Sequence, residues 1–337
     1  MKSYRPIFPE RGRAELEEFE LPDKVPAGHV LIHTSASAVS AGTERANLLD
    51  MPNISCAANS YPKRIGYTNC GIIEAIGEGV NGYKAGDRVT GNFAGNGLYY
   101  HAPVSNILKV EHDNITDYEA SFGNITVFPM AALRKTELEV GESLLVMGLG
   151  ILGVFSVIFA RAAGAYPIIA ADLKPERRKL ALELGADYAF DPSEKDFAQK
   201  VKSVTRGIGT KCVIEVTGIC SALDQALDCT ARFGRIALLG CTRVPDTIIN
   251  YYEKVHKPGV KIIGAHTMAR PHFESYPHYW TWQDDQRAVF DLLASGRISF
   301  DKVINEIVSP RDTAKVYDRL ANDKDFPIGV VFDWKLL

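Results

Sequence analysis

The chain changes rhythm twice along its length. Up to about residue 120, short apolar runs alternate with glycine-rich turns, as in GHVLIHTSASAVS, NCGIIEAIGEGVNGYKAGDRVTG and LYYHAPVSNILKV. That rhythm predicts an all-β segment of short strands. From Ser143 the pattern becomes strand, turn and helix. SLLVM is an apolar strand, the run from Gly150 through ILGVFSVIFARAAG is a helix stopping at Gly164, and PIIAAD is the next strand. Pro175 opens a further helix at a position where its missing N–H costs nothing, and Gly185 closes it. DYAFDP, KCVIEVTG, GRIALLG and VKIIGA bring the count of predicted strands in this region to six. Strands alternating with helices imply a parallel sheet with right-handed crossovers.

The stretch VMGLGILG (Val146 to Gly153) places three glycines in this apolar setting. No charge occurs between Glu142 and Arg161, close to the ~18 residues at which a membrane span must be considered. The glycines cluster at one end, however, and a second apolar run follows that ends in an acid. Strand, turn and helix is the better reading. Gly148 then permits the tight turn, Gly150 lets backbone approach a pyrophosphate, and Gly153 lets the helix pack on the strand. Leu149, Ile151 and Leu152 complete the phosphate loop. Asp172 falls about 20 residues beyond Gly153, where a carboxylate hydrogen-bonds ribose hydroxyls. It would repel a 2′-phosphate, so NAD is expected over NADP. Lys174, Arg177 and Arg178 follow closely and are read as the solvated face of a helix.

A length of 337 residues is long for one core, and two domains are expected. Hydrophobic residues at 46% and charged residues at 23% are ordinary for a folded protein. A net charge of −3 without a block of Lys or Arg argues against nucleic acid as a main partner. The N-terminal MKSYRPIFPERGR has no apolar core for a secretory signal, so a cytoplasmic location and no membrane association are expected. The cysteines Cys56, Cys70, Cys212, Cys220, Cys229 and Cys241 are scattered without a C-x-x-C pair, and are read as buried free thiols. The tail from about residue 267 holds a helix (DDQRAVFDLLASG), FDKVINEIVS, another helix and a closing strand, GVVFDW.

VSAGTERANL, IGYTNCGIIEAIGEGVNGYKAGDRV, VGESLLVMGLGILGVFSVIFARAAGA and DLKPERRKLALELGAD together resemble the medium-chain dehydrogenase/reductase superfamily over essentially the whole chain. The resemblance implies an α/β architecture: a Rossmann doubly wound parallel sheet inserted into a GroES-like, mainly β catalytic domain. The domains would be 1–123 (GroES-like), 124–266 (Rossmann) and 267–337 (GroES-like, returning), with a cleft between them. Homodimers or homotetramers are common in the superfamily. Cofactor contacts carried over from it are Val216, Thr217, Gly240 and Cys241 at strand ends, with Ala265 and His266 after the sixth strand.

Zinc members of the superfamily hold their metal by a Cys, a His with a neighbouring Glu, and a further Cys or Glu. Laid over this chain, those positions are Ala41, Tyr67 with Thr68, and Asn124. Zinc sites want thiolate, imidazole or carboxylate, so a metal-free protein is expected; the scattered His33, His101, His112 and His266 offer no replacement. The block SAGTE beside the altered zinc positions resembles a zinc-lacking branch containing bacteriochlorophyllide-type dehydrogenases. Thr43 matches the Ser or Thr that relays the proton in zinc members. Tyr67 takes the metal-binding histidine's place and, as a phenol of ordinary pKa about 10, can donate to a carbonyl oxygen or, if tuned, accept a proton; filling the metal's space is the rival role. Asn124 would donate a further hydrogen bond. Glu44 and Arg45 would form structural pairs behind the site.

The expected activity is zinc-independent, NAD-dependent interconversion of a secondary alcohol and its ketone. Polar residues such as Asn69, Asn92, Asn96, Tyr100, His101 and His266 suggest a sugar- or polyol-like small molecule. Trp280 and Trp282 could stack on a ring or simply pack. Two rivals stand: an NAD(P)H-dependent enone or quinone reductase, a class that lacks an acid at the Asp172 position, and a dinucleotide-binding protein without catalysis.

Overall fold

The computed structural model describes residues 1–54 and 60–337, so Cys56 lies outside the described residues. The chain forms two compact units, Met1–Ile125 with Gln286–Leu337, and Thr126–Asp285.

The first unit contains β1 (Lys2–Glu10), β2 (Arg13–Glu20), β3 (His29–Ala38), α1 (Ala41–Leu48), β4 (Lys63–Arg64), β5 (Thr68–Ile76), β6 (Arg88–Asn92), β7 (Tyr99–Pro103), β8 (Ile107–Lys109), α2 (Asp117–Ser121) and the start of α3 (Gly123–Lys135). The second holds β9 (Leu144–Met147), α4 (Ile151–Ala162), β10 (Ile168–Ala171), α5 (Pro175–Glu183), β11 (Tyr188–Phe190), α6 (Phe197–Val204), β12 (Thr210–Glu215), α7 (Cys220–Cys229), β13 (Thr230–Leu238) and β14 (Lys261–Gly264). The chain leaves the second unit within α8 (Trp282–Ala294) and ends with β15 (Ile304–Val308), α9 (Thr313–Asn322) and β16 (Gly329–Asp333) in the first.

The second unit is a six-stranded sheet in the order β11-β10-β9-β12-β13-β14, with every ladder parallel. β9 pairs with β10 on one side and β12 on the other, so the winding reverses there, a topological switch point. A strand flanked on both sides and covered on both faces must be apolar throughout. Leu144, Leu145, Val146 and Met147 are all buried, which is why this strand reads as an unbroken greasy run. The charge-free segment after it is a helix of 12 residues, most of them buried. Among the described residues no helix is long and apolar enough to cross a membrane.

In the first unit, β15-β16-β3-β5-β6-β8 form a mixed sheet to which β7 adds by pairing with β3, and β2-β1-β4 form a separate antiparallel sheet. Val30, Ile32, Ile73, Val89 and Ile107 share one core. A second core joins Phe8, Val39 and Leu48 to Val316, Tyr317, Leu320 and Phe332, so the C-terminal tail folds onto the β-rich start of the chain. The return falls at residue 286, where the sequence pattern put it at 267. Segment 267–285 belongs to the second unit because Arg270 donates to the carbonyl oxygen of Val127, and the buried Asp285 accepts from Arg134.

The five described cysteines are free. Cys70, Cys212 and Cys229 are buried as expected, and burial raises their thiol pKa values. Cys220 and Cys241 depart from that expectation, being half-buried and exposed. Both sit where the chain emerges from the sheet layer, Cys220 opening α7 and Cys241 following β13.

Candidate active site

The carboxyl end of the parallel sheet is shaped by glycines whose roles differ. Gly148 has φ +93°, a conformation that L side chains resist, and a Cβ there would also press on Thr217. At Gly153 a Cβ would stand 1.9 Å from the carbonyl oxygen of Gly148, so only glycine lets α4 seat against the turn. Gly150 is the opposite case: a Cβ would meet nothing within 4 Å. The space in front of the helix is therefore open, and the first intrahelical bond runs from the Val154 N–H to the carbonyl of Gly150. The N–H groups of Gly148 and Leu149 are taken by Ala171 and Asp172, so the donors left for a ligand are those of the first turn of α4, at the positive end of the helix dipole. Leu149 and Ile151 are themselves buried, so it is the backbone that meets a ligand here, at Ile151 rather than at Leu149, whose N–H is held by Asp172.

Asp172 lies just past β10. One carboxylate oxygen accepts from the Leu149 N–H at 2.8 Å, and the other from the Lys174 N–H at 2.9 Å. This ties the acid to the glycine turn itself. Arg177 approaches the carboxylate at 3.7 Å. Arg178 departs from the solvated face expected of it: its guanidinium donates to the carbonyls of Asp172 and Leu173 and to Asp191.

The neighbouring strand ends converge on the same turn. Thr217 packs on Gly148, and its N–H donates to Glu215 Oε1 at 2.7 Å. Gly240 leaves no room for a side chain against Val216 and the Gly218 N–H, and a Cβ at Gly218 would strike the carbonyl of Cys241. Val216, Thr217, Gly240 and Cys241 thus gather beside Gly148. Ala265 is buried one strand farther along and donates to the carbonyl of Leu238. His266 is exposed, with Nδ1 accepting from the Met268 N–H.

In the first unit a cavity of about 470 Å³ is lined by Thr43, Glu44 and Asn47 of α1, by Tyr67, and by Asn96, Tyr100 and His101 among others. That volume suits a small ligand. Gly66, at φ +82° and crowded by the Asn96 side chain, turns the chain into Tyr67. The carbonyl of Tyr67 accepts from the Phe93 N–H and from Asn124 Nδ2, each at 3.1 Å. The phenol ring stacks on Phe93 with centroids 4.7 Å apart, and its hydroxyl lies 2.5 Å from Ser40 Oγ. Thr43 and Tyr67 are brought to one cavity wall; Asn124, buried behind it, grips the tyrosine's backbone and keeps Oδ1 without a hydrogen bond.

Glu44 is buried, and no cation pairs with it among the described residues. Its Oε1 accepts from the Ser40 N–H at 3.0 Å and its Oε2 from the Tyr317 hydroxyl at 2.5 Å. Desolvation raises its carboxyl to about 7, against the lowering effect of those two donors. Arg45 instead donates to the carbonyl of Ala321. Tyr100 donates to Asn69 Oδ1 at 2.7 Å, and Asn69 donates to the carbonyl of Gly95, bracing the loop across the cavity. Burial lowers the pKa of His101, favouring the neutral ring. Trp280 lies under the Arg134 guanidinium in the second unit, a packing role.

Sequence reasoning missed Ser40, Phe93 and Tyr317. Ser40 had a faint signal, being the first residue of the SAGTE block; the other two are far from Tyr67 and Glu44 in sequence and carry none. Ala41, Tyr67, Thr68 and Asn124 present a methyl, a phenol, a hydroxyl given to the carbonyl of Ser121, and an amide. No group of three or more His, Cys, Asp or Glu that could hold a metal occurs among the described residues.

Residues 26–123 match the alcohol dehydrogenase GroES-like domain, and residues 152–283 match the zinc-binding dehydrogenase domain. The chain is 28% identical over 325 residues to L-threonine 3-dehydrogenase of Pyrococcus horikoshii, covering 86% of this chain and 87% of that one. It is 24% identical over 284 residues to D-guloside 3-dehydrogenase of Escherichia coli, covering 80% and 77%. The crystal structure of 2R,3R-butanediol dehydrogenase from Bacillus subtilis superposes with a TM-score of 0.82 at 22% identity, covering 98% and 99%.

Proposed function

Because the chain belongs to the zinc-type medium-chain dehydrogenase superfamily, we propose that it is a zinc-independent, NAD-dependent dehydrogenase of a secondary alcohol in a polyol- or sugar-like molecule. The relatives' activities, on threonine, a guloside and butanediol, support oxidation of alcohols carrying further polar groups.

The residues present do not fit zinc. A catalytic zinc takes three thiolate, imidazole or carboxylate ligands, and the positions that supply them in zinc members hold Ala41, Tyr67 and Asn124. They do fit a dinucleotide: the open space at Gly150, the first-turn N–H groups of α4, and Asp172 anchored to Leu149 form a pyrophosphate and ribose cradle. A dinucleotide held there would supply the acceptor for the hydride that leaves the alcohol carbon.

The chain itself must manage the hydroxyl proton. The observation that carries this reading is the short contact between Tyr67 Oη and Ser40 Oγ on the cavity wall. Phe93 and Asn124 fix the ring and backbone of Tyr67, and Thr43 orients the reacting hydroxyl; as hydride leaves the carbon, Tyr67 Oη takes up the hydroxyl proton while its own passes through Ser40 Oγ to water. Donors held ready for a developing negative oxygen need no reorganisation during the reaction.

The test is a panel of alcohols, polyols and sugars with NAD and NADP separately, on protein stripped of metal by a chelator. Oxidation with NAD in the stripped protein is expected. Tyr67→Phe should then lower kcat about 10²–10⁴-fold, the range for losing one general acid or base, with KM little changed. Activity that vanishes on chelation and returns with zinc, or an intact kcat in Tyr67→Phe, would overturn the reading.

A further inference from the structure

The cavity wall opposite in chemistry to the Tyr67 hydroxyl is basic. Arg64 on β4 stands directly across from Ile7 on β1, and Arg5 lies two residues before Ile7. Side chains two apart in a strand, and those of paired residues, share a face. Arg5 and Arg64 therefore project from the same face of this small sheet, and both line the cavity. Lys63, one residue away on the other face, is buried and spent on Asp50 and the carbonyl of Asn47.

The two guanidinium groups differ in what already occupies them. Arg5 donates through Nε to Glu17 at 2.6 Å and lies 4.1 Å over the Phe19 ring, which holds the fork rigid. Its remaining N–H groups donate to no described residue. Arg64 is exposed and pairs with no carboxylate among the described residues. Among the described residues Glu44 is the one acid on the cavity lining, and its oxygens are committed to Ser40 and Tyr317. Arg64, without a paired carboxylate, and Arg5, whose fork Glu17 engages only through Nε, together favour an anion, since guanidinium groups match carboxylate and phosphate edges.

We propose that the alcohols oxidised in this cavity carry an anionic group, a phosphate ester or a carboxylate, bound by Arg5 and Arg64. The inference rests on reading the cavity as the substrate site, and it narrows the substrate to acidic polyols or sugar derivatives. The anion is held at a fixed distance from the hydroxyl to be oxidised, so the arginines also select which carbon reacts.

Sorbitol, sorbitol 6-phosphate and gluconate, each with NAD, separate the neutral, phosphate and carboxylate cases. At least one anion should exceed sorbitol in kcat/KM by about tenfold or more, the worth of a charge-assisted hydrogen bond. Arg64→Gln should cut the anion-over-neutral ratio about tenfold to a hundredfold, acting through KM. Arg5→Lys, which keeps the charge beside Glu17 but loses the fork, should cut it less. A binding arm needs no turnover: calorimetric titration with sorbitol 6-phosphate, gluconate and inorganic phosphate, on wild type and Arg64→Gln. Anion binding that depends on Arg64 without oxidation of any compound would uphold this inference and sink the dehydrogenase reading. Oxidation of neutral polyols with anion binding absent, or indifferent to Arg64, would do the reverse.

Discussion

The turn before α4 and the cavity around Tyr67 are built from different materials. At the turn, backbone does the work: Gly148 and Gly153 are required by conformation and by contact, and Gly150 is bounded by open space. Around the cavity, side chains do it, each held by partners from distant elements: Tyr67 by Ser40, Phe93 and Asn124, and Glu44 by Tyr317. A site made of backbone tolerates few sequences and any chemistry of neighbouring side chains. A site made of side chains can exchange its reactive groups while the fold stays put. The first keeps one ligand class; the second is where substrates diverge.

The sharpest way to break that contrast is inside the glycine turn. Gly153→Ala drives a methyl into the carbonyl of Gly148 and should destabilise the second unit by about 4 kcal/mol or more, as backbone clashes in a packed layer do. Gly150→Ala meets no atom of the protein and should leave the urea midpoint nearly unchanged. It should still weaken dinucleotide binding at least about tenfold, because the methyl fills space the pyrophosphate needs. Equal stability losses in the two variants, or normal dinucleotide titration of Gly150→Ala, would erase the distinction.

The cavity's counterpart is Glu44. Its carboxyl is raised from 4.5 to about 7 in the folded protein, so the folded state holds a proton that the unfolded chain releases. The contribution is fully present below about pH 4.5 and is lost as pH rises through about 7. The shift corresponds to about 3 kcal/mol. Glu44→Gln removes the titration while keeping an amide that can face Ser40 and Tyr317. Its stability relative to wild type should rise by roughly that amount between pH 4 and pH 8. Tyr317, raised well above 10 by burial and by Glu44, stays neutral across this window. A difference in unfolding free energy that is flat with pH would mean the buried carboxyl is stable as an anion.

Legibility follows the same division. The central strands of the parallel sheet are readable because a buried strand must be apolar, and the edge strands β11 and β14 by the glycine, proline and aspartate that punctuate the alternation around them. Gly148, Gly150, Gly153 and Asp172 declare themselves by spacing alone. Tyr67 and Thr43 could be found only through a family resemblance, and Asn124's grip on the tyrosine carbonyl could not be found at all. Arg5 and Arg64 are ordinary surface arginines in the sequence; the pairing of β1 with β4 across more than fifty residues brings them to one wall. The return of the tail was misplaced for a similar reason. Arg270 and Asp285 hold segment 267–285 by long-range polar bonds that leave no periodic trace.

The smallest effect tests whether Asp172 belongs wholly to the backbone region or partly to the side-chain one. Its carboxylate ties Leu149 and Lys174 through their N–H groups, a structural task, while a ribose diol would be a binding task. Asp172→Asn keeps one acceptor oxygen and removes the charge. If the acid only shapes the turn, NAD and NADP should weaken together. If it also reads the ribose, the charge that repels a 2′-phosphate is gone, and Arg177, now 3.7 Å from the carboxylate, is free to meet that phosphate. The preference for NAD over NADP in kcat/KM should then fall about tenfold, some 1.4 kcal/mol. A ratio that stays constant while both values drop would confine Asp172 to holding the turn, and cofactor choice would have to come from elsewhere in the second unit.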